Sequence, residues 1–438
     1  MKKFALWTAA LIVLLFATCF LLSSCQEEAS ENEPISVSDL DEEVLYVYNW
    51  GEYISDGSDE SLDVNAEFER YCREVLHRNV TVNYSTFSSN EDMYAKVSSG
   101  SAIYDVIIPS DYMIQRMVRE KLLLPLNADR PIEEVIPNYR DIDPAFKGEN
   151  VYYEDDSDYI YSVPYFYGMV GVIYNTEMVP ETEENVINQS WELMWDPDYR
   201  GNILQFNNSR DAFGTALYSL GYDVNEATEE QWREALELLK EQKGVVQGYV
   251  MDEIFGKMEG GSAAIAAYYA GDYLTMYEEN DCLSFYYPTQ GRNGAAKTNA
   301  YIDAMCIPKN ARNAELAMLY INFMCSPEIG MANALYTYYA SPLTTVVNNP
   351  EYREAMEEVH EDALSILYPD AEDAVSSQAY MNLSEERLVM LNNLWEELKS
   401  ESDIGMGIYV LCGAIVASLT ALVIYHVLKK RRRSKLYD

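Results

Sequence analysis

The chain has 438 residues, with 72 acidic against 31 basic side chains and a formal net charge of −41 at pH 7. A surface this acidic attracts cations and repels a polyphosphate backbone, which excludes nucleic acid as a partner. Three histidines leave little material for a His-based metal centre or a Ser-His-Asp triad, and the seven cysteines show no metal-ligand spacing.

At the N-terminus, Lys2 and Lys3 precede an apolar run from Phe4 to Leu22, closed by Ser23, Ser24 and Cys25. This pattern predicts a lipoprotein signal peptide over residues 1–24, with cleavage before Cys25 and acylation of its thiol. Residues 25–43 are polar and read as a flexible tether. An apolar strand, Leu45 to Tyr48, then runs into Asn49, Trp50, Gly51, Glu52 and Tyr53. One carboxylate between two aromatic rings suits capture of a small organic cation: the rings stack on methylenes or face an ammonium, and Glu52 accepts a charge-assisted hydrogen bond.

Val80 to Tyr84 predicts a strand, Asn90 to Ser98 a helix, and Tyr104 to Pro109 a buried strand that ends in Ser110, Asp111 and Tyr112. A helix over Met113 to Lys121 follows, so these polar residues sit on the strand-to-helix loop where open α/β sheets place ligands. Ser162 to Tyr165 leads into a strand near Gly168 to Tyr174. Trp191 to Trp195 reads as a helix, followed by a turn and a strand at Asn202 to Phe206; amphipathic helices follow at Glu229 to Glu241 and Ala314 to Met324. The glycines near Gly260 have neither the spacing nor the Lys of a phosphate loop, so no nucleotide or other cofactor is expected.

Residues 404–428 form 25 positions without a charge, enough at about 1.5 Å each to cross a hydrocarbon core of roughly 30 Å. Lys429, Lys430, Arg431, Arg432, Arg433 and Lys435 follow, so the charge rule places the basic tail, residues 429–438, in the cytoplasm and everything before the span outside. Without the signal and the tail, 23 basic residues face 71 acidic ones. Cys72, Cys282, Cys306 and Cys325 are the cysteines left outside.

The succession Tyr48–Tyr53, Tyr94–Lys96, Tyr104–Tyr112, Trp191–Gly201, Leu220–Tyr222 and Tyr301–Pro308 resembles the extracellular polyamine-binding proteins of spermidine/putrescine ABC importers, from about Val44 to Lys399. The resemblance implies an α/β, two-lobed periplasmic-binding-protein-like fold of type II that closes on its ligand by hinge motion, here joined to a C-terminal transmembrane helix. Lobe 1 is expected over residues 44–168 and 302–346, lobe 2 over 169–301 and 347–399. The implied partners are a polyamine, putrescine or spermidine, the permease and ATPase subunits, and the membrane through the N-terminal lipid and the C-terminal helix. The implied location is the cell membrane with the binding domain extracellular or periplasmic, and the implied role is not enzymatic.

Carried over position by position, Trp50 and Tyr53 match aromatic walls with Glu52 beside them, and Ser110 and Tyr112 match a hydroxyl and an aromatic from the next loop. Asp211 matches an acid that binds an amine, Tyr269 and Tyr301 stand where relatives commonly carry Trp or Phe, Asp303 matches a principal carboxylate, and Tyr339 a further aromatic. Asp272 resembles an acid of the putrescine-preferring members. Asn208 stands where the spermidine type has a second acid, so putrescine is expected to compete at least as well as spermidine. Each residue also has a plainer reading: tyrosine is abundant, 37 in all, a Trp after a strand is usually core, and Ser110 or Asp211 is placed to cap a helix. A ferric-ion binder of the same fold, using Tyr268 with Tyr269 and Tyr338 with Tyr339 as phenolates, is the nearest alternative. A carboxylate-dependent hydrolase and a membrane sensor are more distant ones; the ten-residue tail is too short for an output domain.

Overall fold

The computed structural model describes residues 41–147, 158–369 and 376–400 together with Thr420. Twelve strands occur among them: β1 (Glu43–Trp50), β2 (Val80–Phe87), β3 (Val106–Ile107), β4 (Ser162–Asn175), β5 (Ile203–Phe206), β6 (Val246–Val250), β7 (Ile265–Tyr269), β8 (Leu283–Tyr286), β9 (Gln290–Gly291), β10 (Gly294–Ala295), β11 (Thr298–Cys306) and β12 (Ser377–Ala379). Ten join one sheet in the order β2-β1-β3-β11-β4-β7-β5-β6, with β8 on β4 and β12 on β11.

The pairing explains the two lobes. β1 pairs in parallel with β2 and β3 at one end, and β5 pairs in parallel with β6 and β7 at the other. Parallel neighbours need crossovers, and helices supply them: Val64–Glu74 and Asn90–Ser99 in the first set, Ser209–Ser219, Glu229–Lys243 and Ile254–Glu259 in the second. Between the sets run β4 and β11, antiparallel to each other from Ala300 opposite Met169 to Cys306 opposite Ser162. From Val170 onward β4 pairs with β7 instead. One long strand thus carries the chain from one lobe to the other. The β11 register slips between Asp303 and Ala304, a bulge that re-aims the side chains around it.

Local signals agree with this packing. The Val64–Glu74 helix buries Val64, Phe68 and Cys72, one stripe at i, i+4 and i+8, and its cap Asp63 accepts from the Ala66 amide at 2.9 Å. The Glu229–Lys243 helix opens on a full capping box between Thr228 and Gln231. β4 and β11 are largely buried along their length, because helices cover both faces of the sheet centre.

The structure departs from the sequence expectations in several places. β3 keeps only two residues of the expected Tyr104–Pro109 strand, and the following helix starts at Asp111, two residues early. Trp191–Trp195 is a 3-10 turn. Cys72, Cys282, Cys306 and Cys325 are all free thiols. The expected transmembrane helix, and with it a membrane partnership held through that helix, needs correction. Among the described residues no helix is long and apolar enough to cross a membrane. The last complete helix, Glu385–Ser400, has 16 residues and charges in its first and last turns, too short and polar for a core of roughly 30 Å. Residues 404–428, apart from Thr420, lie outside the described residues, as do the signal peptide, Cys25, most of the tether and the 429–438 tail.

Gly171 on β4 lies where the sheet leaves no room for a side chain. A Cβ there would stand 2.2 Å from Phe285 Cζ and 2.8 Å from the Tyr286 carbonyl oxygen; the ring tip can rotate, but the backbone cannot. Gly171→Ala is therefore expected to lower unfolding stability by about 1–3 kcal/mol, the usual range for overpacking, read as a lower urea midpoint at unchanged slope.

Candidate functional site

The C-terminal ends of β1, β3, β5, β6 and β7 converge on one cleft, where an open α/β sheet offers loop backbone and helix N-termini. It encloses about 770 Å³ of non-atom space, its open mouth included. Trp50, Glu52, Tyr53, Ser110, Tyr112, Asp211, Tyr269, Asp272, Tyr301, Asp303 and Tyr339 all line it, so the structure brings together every cleft residue singled out in the sequence. Cys25 lies outside the described residues.

Asp303 sits at the β11 bulge, buried, with each oxygen held by a neutral hydroxyl: Ser110 Oγ donates at 2.6 Å and Tyr53 OH at 2.7 Å. Asn90 fixes Ser110 in turn, donating to its Oγ at 3.0 Å and accepting from its amide at 3.1 Å. The Tyr165 hydroxyl donates to the Tyr53 carbonyl at 2.9 Å. Asp272, in the first turn of the Ala270–Glu279 helix, accepts from Tyr339 OH at 2.8 Å. Gly271 makes that contact possible, since a Cβ there would lie 2.5 Å from the Tyr339 ring. Asp211, in the first turn of the Ser209–Ser219 helix, accepts from Tyr269 OH and Asn208 Nδ2, both at 2.8 Å. Asn208 Oδ1 also accepts from the Asp211 amide at 2.8 Å, so the cap expected near this position is Asn208 and its task is to hold Asp211.

Rings complete the walls. Tyr53 meets Tyr339 edge to face at 4.6 Å, Tyr269 meets Tyr301 at 5.2 Å, and Trp50 leans on Phe87 at 4.5 Å between centroids. At the mouth, Glu52 adopts a left-handed φ of 48°, and Asp252 reaches over Gly51, where a Cβ would stand 2.6 Å from its Oδ2. The paired phenolates of the ferric reading are not assembled: Tyr268, Tyr269 and Tyr339 line the cleft, but the Tyr338 hydroxyl donates to Glu278 at 2.9 Å.

Among the lining residues that escaped the sequence reading as ligand contacts are Glu91, Asp252, Asn299 and Tyr380. Glu91 follows the cap of a helix after a strand, the same strand-to-helix signal that drew attention to Ser110, and could have been found that way. Asp252, Asn299 and Tyr380 carry no local signal.

Seven carboxylates line the cleft and no Lys, Arg or His does. Burial pushes Asp272 up to about 8, with Asp252 and Glu52 adding to the effect and the Tyr339 hydrogen bond opposing it. Asp111 rises to about 8 for the same reason, with Asp303 contributing. Asp303 rises only to about 6 because Ser110 and Tyr53 offset part of its desolvation. Burial also raises Asp211, Glu91, Glu52 and Asp252 above the ordinary carboxylate range. Arg210 lies behind the wall, its guanidinium 4.6 Å from the Tyr380 ring centre and 5.6 Å from that of Tyr112. The arrangement is chemically a ring-walled cluster of carboxylates short of cations.

The profile of the bacterial extracellular solute-binding proteins matches residues 66–359. The spermidine/putrescine-binding periplasmic protein of Salmonella typhimurium is 26% identical over 82% of this chain and 92% of its own length. Among solved structures, a putative spermidine/putrescine ABC transporter from Listeria monocytogenes is 32% identical with a TM-score of 0.68, covering 81% of this chain and 98% of its own. The substrate-binding protein of a spermidine/putrescine ABC transporter from Streptococcus pneumoniae is 30% identical with a TM-score of 0.59, covering 82% and 98%.

A carboxyl whose pKa is raised by folding keeps its proton where the unfolded chain has lost it. The folded state then binds more protons between the ordinary value of 3.8 and about 8, and stability falls as pH rises through that window. The ligand-free protein is expected to melt at a lower temperature at about pH 8 than at about pH 5 through this term, and Asp272→Asn with Asp111→Asn is expected to flatten the profile. Calorimetric melting across the window checks both; a double variant with an unchanged slope contradicts the assignment.

Proposed function

The chain belongs to the bacterial extracellular solute-binding proteins, in the spermidine/putrescine group of ABC importers, and we propose that its own cargo is a linear polyamine held in the cleft described above. The observation that carries this reading is the set of seven lining carboxylates without a lining base. A protonated amine supplies the missing charge, and its methylenes fit between the rings of Trp50, Tyr53, Tyr301 and Tyr339.

The geometry accounts for capture without chemistry. Members of this family are transport components, and the cargo is returned intact. Burying an unpaired ammonium costs several kcal/mol, so each charged nitrogen needs a carboxylate. An ammonium at about 3 Å from one gains about 5 kcal/mol at an effective dielectric near 20. Asp303 and Asp272 receive charged nitrogens, while Tyr53 and Tyr339 keep those carboxylates aimed. Closure of the lobes removes water, strengthens each pair, and presents the loaded form to a permease whose ATPase is a separate subunit. The binding domain is extracellular or periplasmic. We further propose that Cys25 carries a lipid that tethers it there. Blocking lipoprotein signal peptidase with globomycin is expected to leave the unprocessed precursor, and normal processing under the drug contradicts the lipid.

Titration calorimetry of the purified protein with putrescine, cadaverine, spermidine and spermine is expected to show one equivalent bound for at least one amine. No heat with any of the four removes the reading. Trp50→Ala is expected to weaken binding by about 1–2 kcal/mol, as for a desolvated cation over a ring. Asp303→Asn, which leaves one ammonium unpaired, is expected to cost about 2–5 kcal/mol. Unchanged affinity in either variant takes that residue out of the site.

A further inference from the structure

The helix Asp111–Arg119 turns Met113, Ile114, Met117 and Val118 into the core of the β1–β3 lobe. Tyr112 and Gln115, three residues apart, lie on its other side, where that lobe alone would leave them to water. Gln115 is nevertheless 1% exposed. Its Oε1 accepts from the Asn382 amide at 2.9 Å, a hydrogen bond between residues 267 positions apart. We propose that Gln115 is a positioning residue for cargo retention: with Tyr112 it meets the 380–382 segment as a neutral clasp between the lobes, and the clasp sets how slowly cargo leaves, whichever amine is bound. This rests on the polyamine reading and adds to it a kinetic role for Gln115 and Asn382, which stand outside the set of cleft-lining residues.

The 377–382 segment is fastened to the β5–β7 lobe. The Tyr218 hydroxyl donates to the Gln378 carbonyl at 2.7 Å, Asn225 Nδ2 donates to the Ala379 carbonyl at 2.9 Å, and Asn225 Oδ1 accepts from the Met381 amide at 2.8 Å. Arg210 donates to the Met381 carbonyl at 2.9 Å. Tyr380 lies nearly parallel to Tyr218 at 6.3 Å between centroids, over Gly214, which leaves room for its hydroxyl. The segment therefore moves with that lobe, and its end carries the Asn382 amide to Gln115 on the other. Two ring contacts accompany the bond. Tyr112 meets Tyr380 edge to face at 6.1 Å, and the Arg210 guanidinium stands 5.6 Å from the Tyr112 ring centre.

The residue type at 115 suits a contact that forms and breaks. When the lobes part, Gln115 returns to water, where a leucine would expose apolar surface. When they shut, a charged side chain would have to be desolvated, and a hydrogen-bonded amide costs far less. The clasp also differs from the mouth, where Asp252 closes over Gly51 and raises the Glu52 carboxyl by its like charge. Closure at the mouth depends on the charge of the cargo; closure at the clasp does not. A bond made only in the closed form slows opening and hence release, and leaves entry into the open form untouched.

Stopped-flow release of putrescine and of spermidine from the full chain, wild type and Gln115→Met, followed by tryptophan fluorescence, tests this. The variant keeps the length of the side chain and loses the acceptor. It is expected to release both amines about tenfold faster while associating within about twofold of wild type. An unchanged release rate, or a loss confined to association or to one amine, overturns the clasp. Amide hydrogen exchange in wild type decides where the variant fails to fold. Saturating amine is expected to slow Asn382 at least about tenfold more than Met381, whose partner Asn225 lies in its own lobe, and equal slowing overturns the clasp. If neither amine binds, the polyamine reading falls, and ligand-free exchange decides the clasp: Asn382 is expected to exchange at least about tenfold faster in Gln115→Met than in wild type, and equal rates overturn it.

Discussion

Asp303, Asp272 and Asp211 are withdrawn from water and held by neutral hydroxyls and an amide, with no base among the cleft-lining residues to neutralise them. A hydrogen bond to a charged group contributes about 1.5–3 kcal/mol, whereas the effective penalty of burying an ion is several kcal/mol. The deficit is visible in the direction of every carboxyl in the cleft, all displaced upward. Ser110, Tyr53, Tyr339 and Tyr269 thus serve as aiming devices. They fix where the negative charge stands while leaving its compensation to whatever cation enters.

The fold reduces the cost of this arrangement by where it puts the acids. Glu91, Asp111, Asp211 and Asp272 each sit in the first turn of a helix, where the exposed amides and the positive end of the helix dipole favour a negative group. Those helices begin at the loops following parallel strands, and the two parallel sets face each other because β4 and β11 join them antiparallel. A residue pattern that is ordinary helix-starting chemistry in each lobe becomes, once the lobes meet, a shared anionic cleft. Asp303 is the exception: it belongs to a strand, and the β11 bulge is what turns it toward Ser110 and Tyr53.

This division explains what the sequence makes legible. Trp50, Glu52 and Tyr53 are adjacent in the chain and Ser110 to Tyr112 follow a recognisable strand, so their placement at a strand's end could be read locally. Asp211 and Ser110 looked like helix caps. Ser110 does stand at the cap of its helix, its hydroxyl turned to Asp303; at the other helix Asn208 caps, with Asp211 in the first helical turn and still lining the cleft. Single tyrosines among 37 carry no such signal; Tyr301 and Tyr339 were reachable only through the resemblance. Asn299 and Tyr380 depend on the β11–β12 pairing, a contact between segments about eighty residues apart that no local periodicity encodes. The hydropathy of residues 404–428 suggests a span that no described helix supplies.

The mouth shows how the same charge deficit ties binding to closure. Glu52 follows β1 in one lobe and Asp252 follows β6 in the other, and each raises the carboxyl range of the site they share with Asp272. Two like charges approaching across a solvated mouth repel by about 1 kcal/mol at 4 Å in water and by more as water leaves, so an empty cleft resists shutting. Gly51 permits the approach sterically, because any Cβ there would collide with Asp252. An ammonium lying between the lobes turns the repulsion into two attractions. On the polyamine reading, cargo thus favours the closed form over the open one.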